Sequence, residues 1–221
     1  MSQLAIRVAV GLLLIFNFYW ILTYFLVIRR GFIERTWGIP MISLTLNIAW
    51  DITGAFSTAM RSPAFQKIGN MVFVIANLII TYQMFRYWRS DFNNLSAKEF
   101  FFFWAIAQVM SLRIIYIGSI ELNDPIIFKM GFVDNLINSA LFIAMFYRRP
   151  DLLGQSIYIG LSKLIGTGAV SLSSLIAPPP GTEDSLLMPF LFQSILVLDV
   201  IYVFLVYKRG QQMGIDIWRR W

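Results

Sequence analysis

Seven stretches of roughly 20 apolar residues recur along the chain: Leu4 to Ile28, Ile39 to Ala59, Ile68 to Phe85, Phe100 to Ile120, Ile126 to Phe146, Gln155 to Ala177 and Ser185 to Tyr207. Each is about the length an α-helix needs to cross some 30 Å of hydrocarbon. The pieces between them are short and carry helix breakers, among them Pro40, Pro63, Pro125, Pro150 and the run Pro178 to Pro180. The pattern predicts an all-α polytopic membrane protein, with residues 1–221 forming one domain of seven transmembrane helices in one bundle. The first stretch is too long for a signal-peptide core and lacks a small-residue cleavage site, so it is read as a span.

Basic residues orient the bundle. Arg29, Arg30, Arg35, Arg86, Arg89, Lys98, Arg148 and Arg149 follow the first, third and fifth stretches, and Lys208, Arg209, Arg219 and Arg220 follow the last. The other side holds Arg7, Arg61, Lys67 and Lys129. The positive-inside rule then places the amino terminus outside and the carboxyl terminus in the cytoplasm. Trp218 and Trp221 beside Arg219 and Arg220 fit either an interfacial anchor or a disordered tail.

Composition narrows the chemistry. The chain is 58% hydrophobic and 14% charged, with a mean hydropathy of +0.68, which excludes an ordinary soluble globule. With no histidine and no cysteine, imidazole bases, thiol nucleophiles, disulfides and Cys/His metal or haem ligation are excluded. Acid–base work falls to Asp, Glu, Lys or Tyr. The net charge of +6 is accounted for by cytoplasmic helix flanks, not by nucleic-acid binding. Twenty Phe, nine Tyr and seven Trp are more rings than interfacial anchoring requires.

The informative residues are those that membrane insertion discourages. A carboxylate at a helix centre costs about 2.5 to 3.5 kcal/mol, yet Asp51, Asp134 and Asp199 fall inside the second, fifth and seventh stretches. Lys163 and Arg113 are their possible partners. Asp51 belongs to a stripe, Ser43, Asn47, Asp51 and Gly54, on one helical face. Asp134 and Asn138 are four apart, and Asn70 and Asn77 seven apart, so these too are expected to point inward. Asp199 has Ile195, Leu196, Tyr202 and Val203 as its helical neighbours and reads as a lone acid in apolar surroundings.

Burial disfavours a charge, so an acid without a close cation is expected to stay protonated and able to donate its proton. In a dry cavity it could protonate an epoxide oxygen or an alkene, with aromatic faces stabilising the carbocation by up to about 2 kcal/mol each. Interhelical hydrogen bonds or ion pairs are the structural alternative. A small seven-helix proton-coupled transporter of an apolar or amphipathic solute remains the functional one, although no repeat or matched pair of broken helices is apparent. A retinal protein would need its lysine in the last span, and a prenyltransferase needs clustered aspartates for magnesium diphosphate; neither pattern occurs.

The runs "GIPMISLTLNIAWDI", "RRPDLLGQSIYIGLSKLIGTG" and "ILVLDVIYVFLVY" resemble, in order and spacing, the small integral-membrane terpene cyclases. These serve fungal meroterpenoid and paxilline-type indole diterpene pathways, with bacterial relatives in drimentine-type indole sesquiterpene pathways. The likeness is most specific at the acid after Trp50 and at the Gly154-Gln155-Ser156 run followed by Gly166-Thr167. The resemblance implies a bundle without metal or other cofactor that protonates a terminal epoxide or alkene of a prenylated substrate drawn from the lipid bilayer. It also implies that Asp51 and Asp199 are the catalytic pair. At Asp51 many members carry Glu, so this carboxyl reaches about 1.5 Å less far. Asn47, Trp50, Asn138, Gln155 and Lys163 are candidates for hydrogen bonding, cation stabilisation or tuning the acids, and Tyr116 and Tyr202 for ring faces or a final deprotonation. The expected location is a bacterial cell membrane.

Overall fold

The computed structural model describes residues 2–221, which form seven helices: α1 (Gln3–Glu34), α2 (Met41–Phe56), α3 (Ala64–Tyr87), α4 (Ala97–Glu121), α5 (Phe128–Arg148), α6 (Ile157–Ile176) and α7 (Leu187–Gln212). No strand occurs among the described residues. Six of the helices are long and apolar enough to cross a membrane, so this is an integral membrane protein. α2 is the departure from the expected pattern. At 16 residues it rises about 24 Å, short of a full crossing, because Ser57 ends it before the apolar run does. Eleven of those residues are buried, so α2 is an interior helix whose polar stripe is shielded by its neighbours.

The helices close into a ring. α1 packs on α6, α6 on α7, α7 on α5, α5 on α2, α2 on α3 and α3 back on α1, while α4 leans on α2 and α5 from outside. Close approach of α1 and α6 is allowed by small residues: a Cβ at Gly166 would lie 2.9 Å from Trp20, Thr23 hydrogen-bonds Ser162 at 2.8 Å, and Ser173 donates to the Ala9 carbonyl at 3.0 Å. The outward faces carry residues such as Leu14, Phe18, Phe102 and Phe204. At the start of α4, Phe101, Phe102 and Phe103 face outward, whereas Phe100 is buried against Trp88 and Phe92.

α5 starts from an unusual turn. Ile127 precedes it in the left-handed region and supplies no side-chain cap, so the buried Asp124 accepts from the Phe128 and Met130 amides at 2.7 and 2.9 Å. Burial pushes the Asp124 carboxyl above its ordinary value, and those amides hold it back.

The basic end of the bundle is tied together by Arg149, which is 4% exposed. It grips Asp91 through two nitrogens and donates to the Trp37 and Leu153 carbonyls at 2.7 and 3.1 Å. Gly154, at φ +74°, fits here because a Cβ would lie 2.8 Å from the Trp37 carbonyl and 2.9 Å from Arg149. Ser156 then caps α6 by accepting from the Ile159 amide. The Gly154-Gln155-Ser156 run thus begins as a turn and a cap. The tail is docked, not disordered: Ile217 is buried, Arg220 bridges Glu34 at 2.7 Å and donates to the Leu152 carbonyl at 2.7 Å, and Arg29 lies 3.7 Å over the Trp221 ring. Replacing Arg149 by Met should lower stability by about 1 to 3 kcal/mol, since it leaves the Trp37 and Leu153 carbonyls without their donor while Asp91 keeps only its 3.3 Å contact with the more exposed Arg148; thermal unfolding of the detergent-solubilised protein measures it.

Candidate active site

Each of the six ring helices contributes a polar side chain to the interior, and each is buried: Tyr24 from α1, Asp51 and Asn47 from α2, Asn77 from α3, Asp134 and Asn138 from α5, Lys163 from α6 and Asp199 from α7. α2 packs on α3, α4 and α5, and the Tyr24 side chain of α1 reaches its stripe, which is why Ser43, Asn47 and Asp51 are all enclosed.

The three acids differ in their relation to the one ammonium among them. Asp199 touches it: Lys163 Nζ donates to Oδ1 at 2.7 Å and to Oδ2 at 2.9 Å, and its third donor goes to Ser139 Oγ at 2.7 Å. The expectation of a lone Asp199 is thereby corrected. Its sequence neighbours are apolar, but α6 packs beside α7 and brings a cation 36 positions away into contact. Asp134 lies within electrostatic reach of Lys163 without forming an ion pair. Asp51, 2% exposed, has no cation in contact among the described residues, and its polar neighbourhood leads through neutral groups to another carboxyl, Asp134.

Neutral groups link Asp51 to Asp134. Asn77 Nδ2 donates to Asp51 Oδ2 at 2.8 Å and to the Tyr24 hydroxyl at 3.1 Å. The Asn47 amide lies 3.4 Å from that hydroxyl; with its nitrogen turned toward the acceptors it donates to Asp134 Oδ2 at 2.9 Å and to the Ser43 carbonyl at 3.3 Å. Several atoms of this interior remain unpaired, including Ser43 Oγ, Asn77 Oδ1, Asp134 Oδ1 and Asn138 Oδ1. Unpaired buried polar atoms are uncommon and call for a partner. Rings flank the cluster. Tyr24 packs on Trp20 and Phe73 with centroids 6.2 and 5.1 Å apart, and Phe142 meets Tyr202 edge-on at 5.3 Å.

The other candidates separate. Asn47, Asn138, Lys163 and Tyr202 are buried with the acids on the ring helices. Trp50 turns to α5, where its indole nitrogen donates to the Ile127 carbonyl at 2.7 Å and packs on Gly131, so it clamps two helices together. Gln155 is fully buried at the basic end with both amide atoms unpaired. Tyr116, at 42% exposure, lies on the outer surface of α4 and is not brought to the site. Arg113 is likewise exposed and pairs with no acid among the described residues. Tyr24 and Ser139 were not anticipated; on the uniformly apolar α1, no stripe distinguishes Tyr24 from the other tyrosines.

Two cavities lie away from the acids. An apolar groove of about 340 Å³ runs between α6 and α7, lined by residues that include Leu164 and Val200, the chain neighbours of Lys163 and Asp199. A second, of about 260 Å³, opens at the basic end between α2 and α5 beside Asp91 and Phe92. No group of three or more Asp or Glu among the described residues is arranged to hold a metal.

Sequence similarity gives the protein that encloses these carboxyls, amides and rings a class. Residues 2–212 match the model of the Pyr4-like transmembrane terpene cyclases, and the chain belongs to that family. It is a terpene cyclase, which sets aside the transporter reading. Terpene cyclase olcD of Penicillium canescens is 24% identical over 216 residues, 90% of this chain and 80% of that protein. The Pyr4-family terpene cyclase mfmH of Annulohypoxylon moriforme is 22% identical over 166 residues, 73% of this chain and 68% of that protein. Both are fungal, so they lend no support to a bacterial membrane. No solved structure matches the chain. Replacing Lys163 by Met should destabilise the protein by about 3 to 5 kcal/mol by leaving the buried Asp199 carboxyl without its partner, and adding Asp199→Leu should restore most of that loss; thermal unfolding of both variants provides the comparison.

Proposed function

We propose that this cyclase acts on a prenylated substrate of meroterpenoid or indole type and that Asp51 is the general acid that starts the reaction. The observation that supports this is the graded placement of the one buried ammonium: in contact with Asp199, within reach of Asp134, and absent from Asp51. A buried carboxyl whose hydrogen-bond partner is a neutral amide is best accommodated as the neutral acid. It gives its proton to the terminal epoxide oxygen, breaking a C–O bond to leave a hydroxyl and a tertiary cation, or to the terminal alkene carbon, forming a C–H bond. Neighbouring alkenes supply the electron pairs for ring closure. The last cation loses a proton from an adjacent carbon, so the product is an isomer of the substrate. Tyr24, Phe142 and Tyr202 offer ring faces to the intermediate cations.

Asp199 is essential here for a different reason. As the counter-ion of Lys163 it cancels the buried positive charge, which otherwise would draw the neighbouring acids into their carboxylate forms and disarm the donor. We further propose that α2, although 16 residues long, completes a seventh passage together with the extended residues that follow it, which puts the amino terminus outside and the carboxyl terminus in the cytoplasm, in keeping with the distribution of Lys and Arg.

Asp51→Asn keeps the shape and removes the acidic proton, so turnover of a prenylated quinol or indole, free or epoxidised, should fall roughly 100- to 10,000-fold by product analysis. Asp199→Asn should also be inactive, yet recover part of its activity when combined with Lys163→Met. Full turnover by Asp51→Asn, or no rescue of Asp199→Asn, contradicts the assignment.

A further inference from the structure

The Asp51 side chain makes one hydrogen bond among the described residues, and that bond occupies Oδ2. An oxygen facing an N–H donor acts as acceptor, so the acidic proton belongs on Oδ1. An isolated amide could turn over and reverse this preference. Asn77 is held by a second bond, because the same nitrogen donates to the Tyr24 hydroxyl at 3.1 Å. The Tyr24 proton is then left for the Asn47 amide, whose nitrogen is committed to Asp134 Oδ2 and the Ser43 carbonyl. Every donor in the series has one acceptor direction, and the two ends are carboxyl oxygens. The Tyr24 ring is itself wedged against Trp20 and Phe73, which fixes where its oxygen stands. Amide nitrogens do not release protons under ordinary conditions, so the series orients groups and does not carry protons between the acids.

We infer that Tyr24 and Asn77 are positioning residues that decide which oxygen of Asp51 presents the transferable proton to the substrate. The inference rests on the proposed donor role of Asp51. It names two side chains, from α1 and α3, that do not transfer the proton and yet govern its delivery.

Kinetics of Tyr24→Phe and Asn77→Leu, with Asp51→Asn alongside, test it. Tyr24→Phe keeps the ring and its packing, and should lower kcat roughly 10-fold, with about 100-fold as the upper range for a misplaced reacting group. KM and the thermal midpoint should stay near wild type, and the solvent deuterium isotope effect on kcat should grow as proton delivery becomes slower. Asn77→Leu should lose at least as much, and the double variant should be no worse than the poorer single one, because the two act as a unit. If Asn77→Leu does not fold, the kcat and isotope effect of Tyr24→Phe decide. Wild-type kcat in both variants while Asp51→Asn is inactive overturns this inference alone, as do losses that follow thermal stability and add in the double variant. An active Asp51→Asn removes the donor proposal and this inference with it.

Discussion

The interior depends on where a single positive charge is neutralised. Lys163 and Asp199 form a buried ion pair, with the third ammonium donor satisfied by Ser139. An ammonium in a membrane-embedded bundle is tolerable only when its donors and its charge are both matched. By consuming Lys163, Asp199 separates the three acids into one paired, one within reach of charge and one held by neutral groups. That division is what allows one bundle to contain both a fixed carboxylate and a proposed proton donor. Proton-initiated chemistry needs such a difference of environment between chemically identical side chains.

The ring of helices makes the division possible. Six helices each send a polar group inward, and the short α2 takes its place in the ring with its stripe turned inward because that stripe could not face lipid. The donor series reaches from α3 through α1 to α2 and α5, so the placement of Asp51 is set by packing among four helices that are distant in sequence. The Asp residue here, one methylene shorter than Glu, makes such placement more exacting.

Much of this was legible in the sequence. The seven apolar stretches anticipated all seven helices, because hydrophobic length is the dominant constraint in a bilayer. The stripe Ser43, Asn47 and Asp51 was readable because helical periodicity places it on one face and α2 is enclosed. The end of α2 was not, since apolar residues continue beyond Ser57 where the backbone has already turned. Asp199 was recognisable as unusual, but its partner was not fixed by local pattern: the pairing is set by how α6 packs on α7. Tyr24 carries no signal of its own on an apolar helix, and Tyr116, chosen as a ring near the acids, points outward. Chemistry-bearing residues that depend on tertiary contact are hidden from periodicity. Those that break it are not.

The claim that Asp51 is the neutral acid is most directly tested by infrared difference spectroscopy of the purified enzyme in lipid, read at the carbonyl stretch of protonated carboxylic acids. A protonated-acid band that disappears in Asp51→Asn and persists when Asp199→Asn is combined with Lys163→Met, which removes the buried ammonium together with its counter-ion, is the predicted result. A band that survives in Asp51→Asn and vanishes in the Asp199→Asn, Lys163→Met double variant would place the proton on the other acid and contradict it.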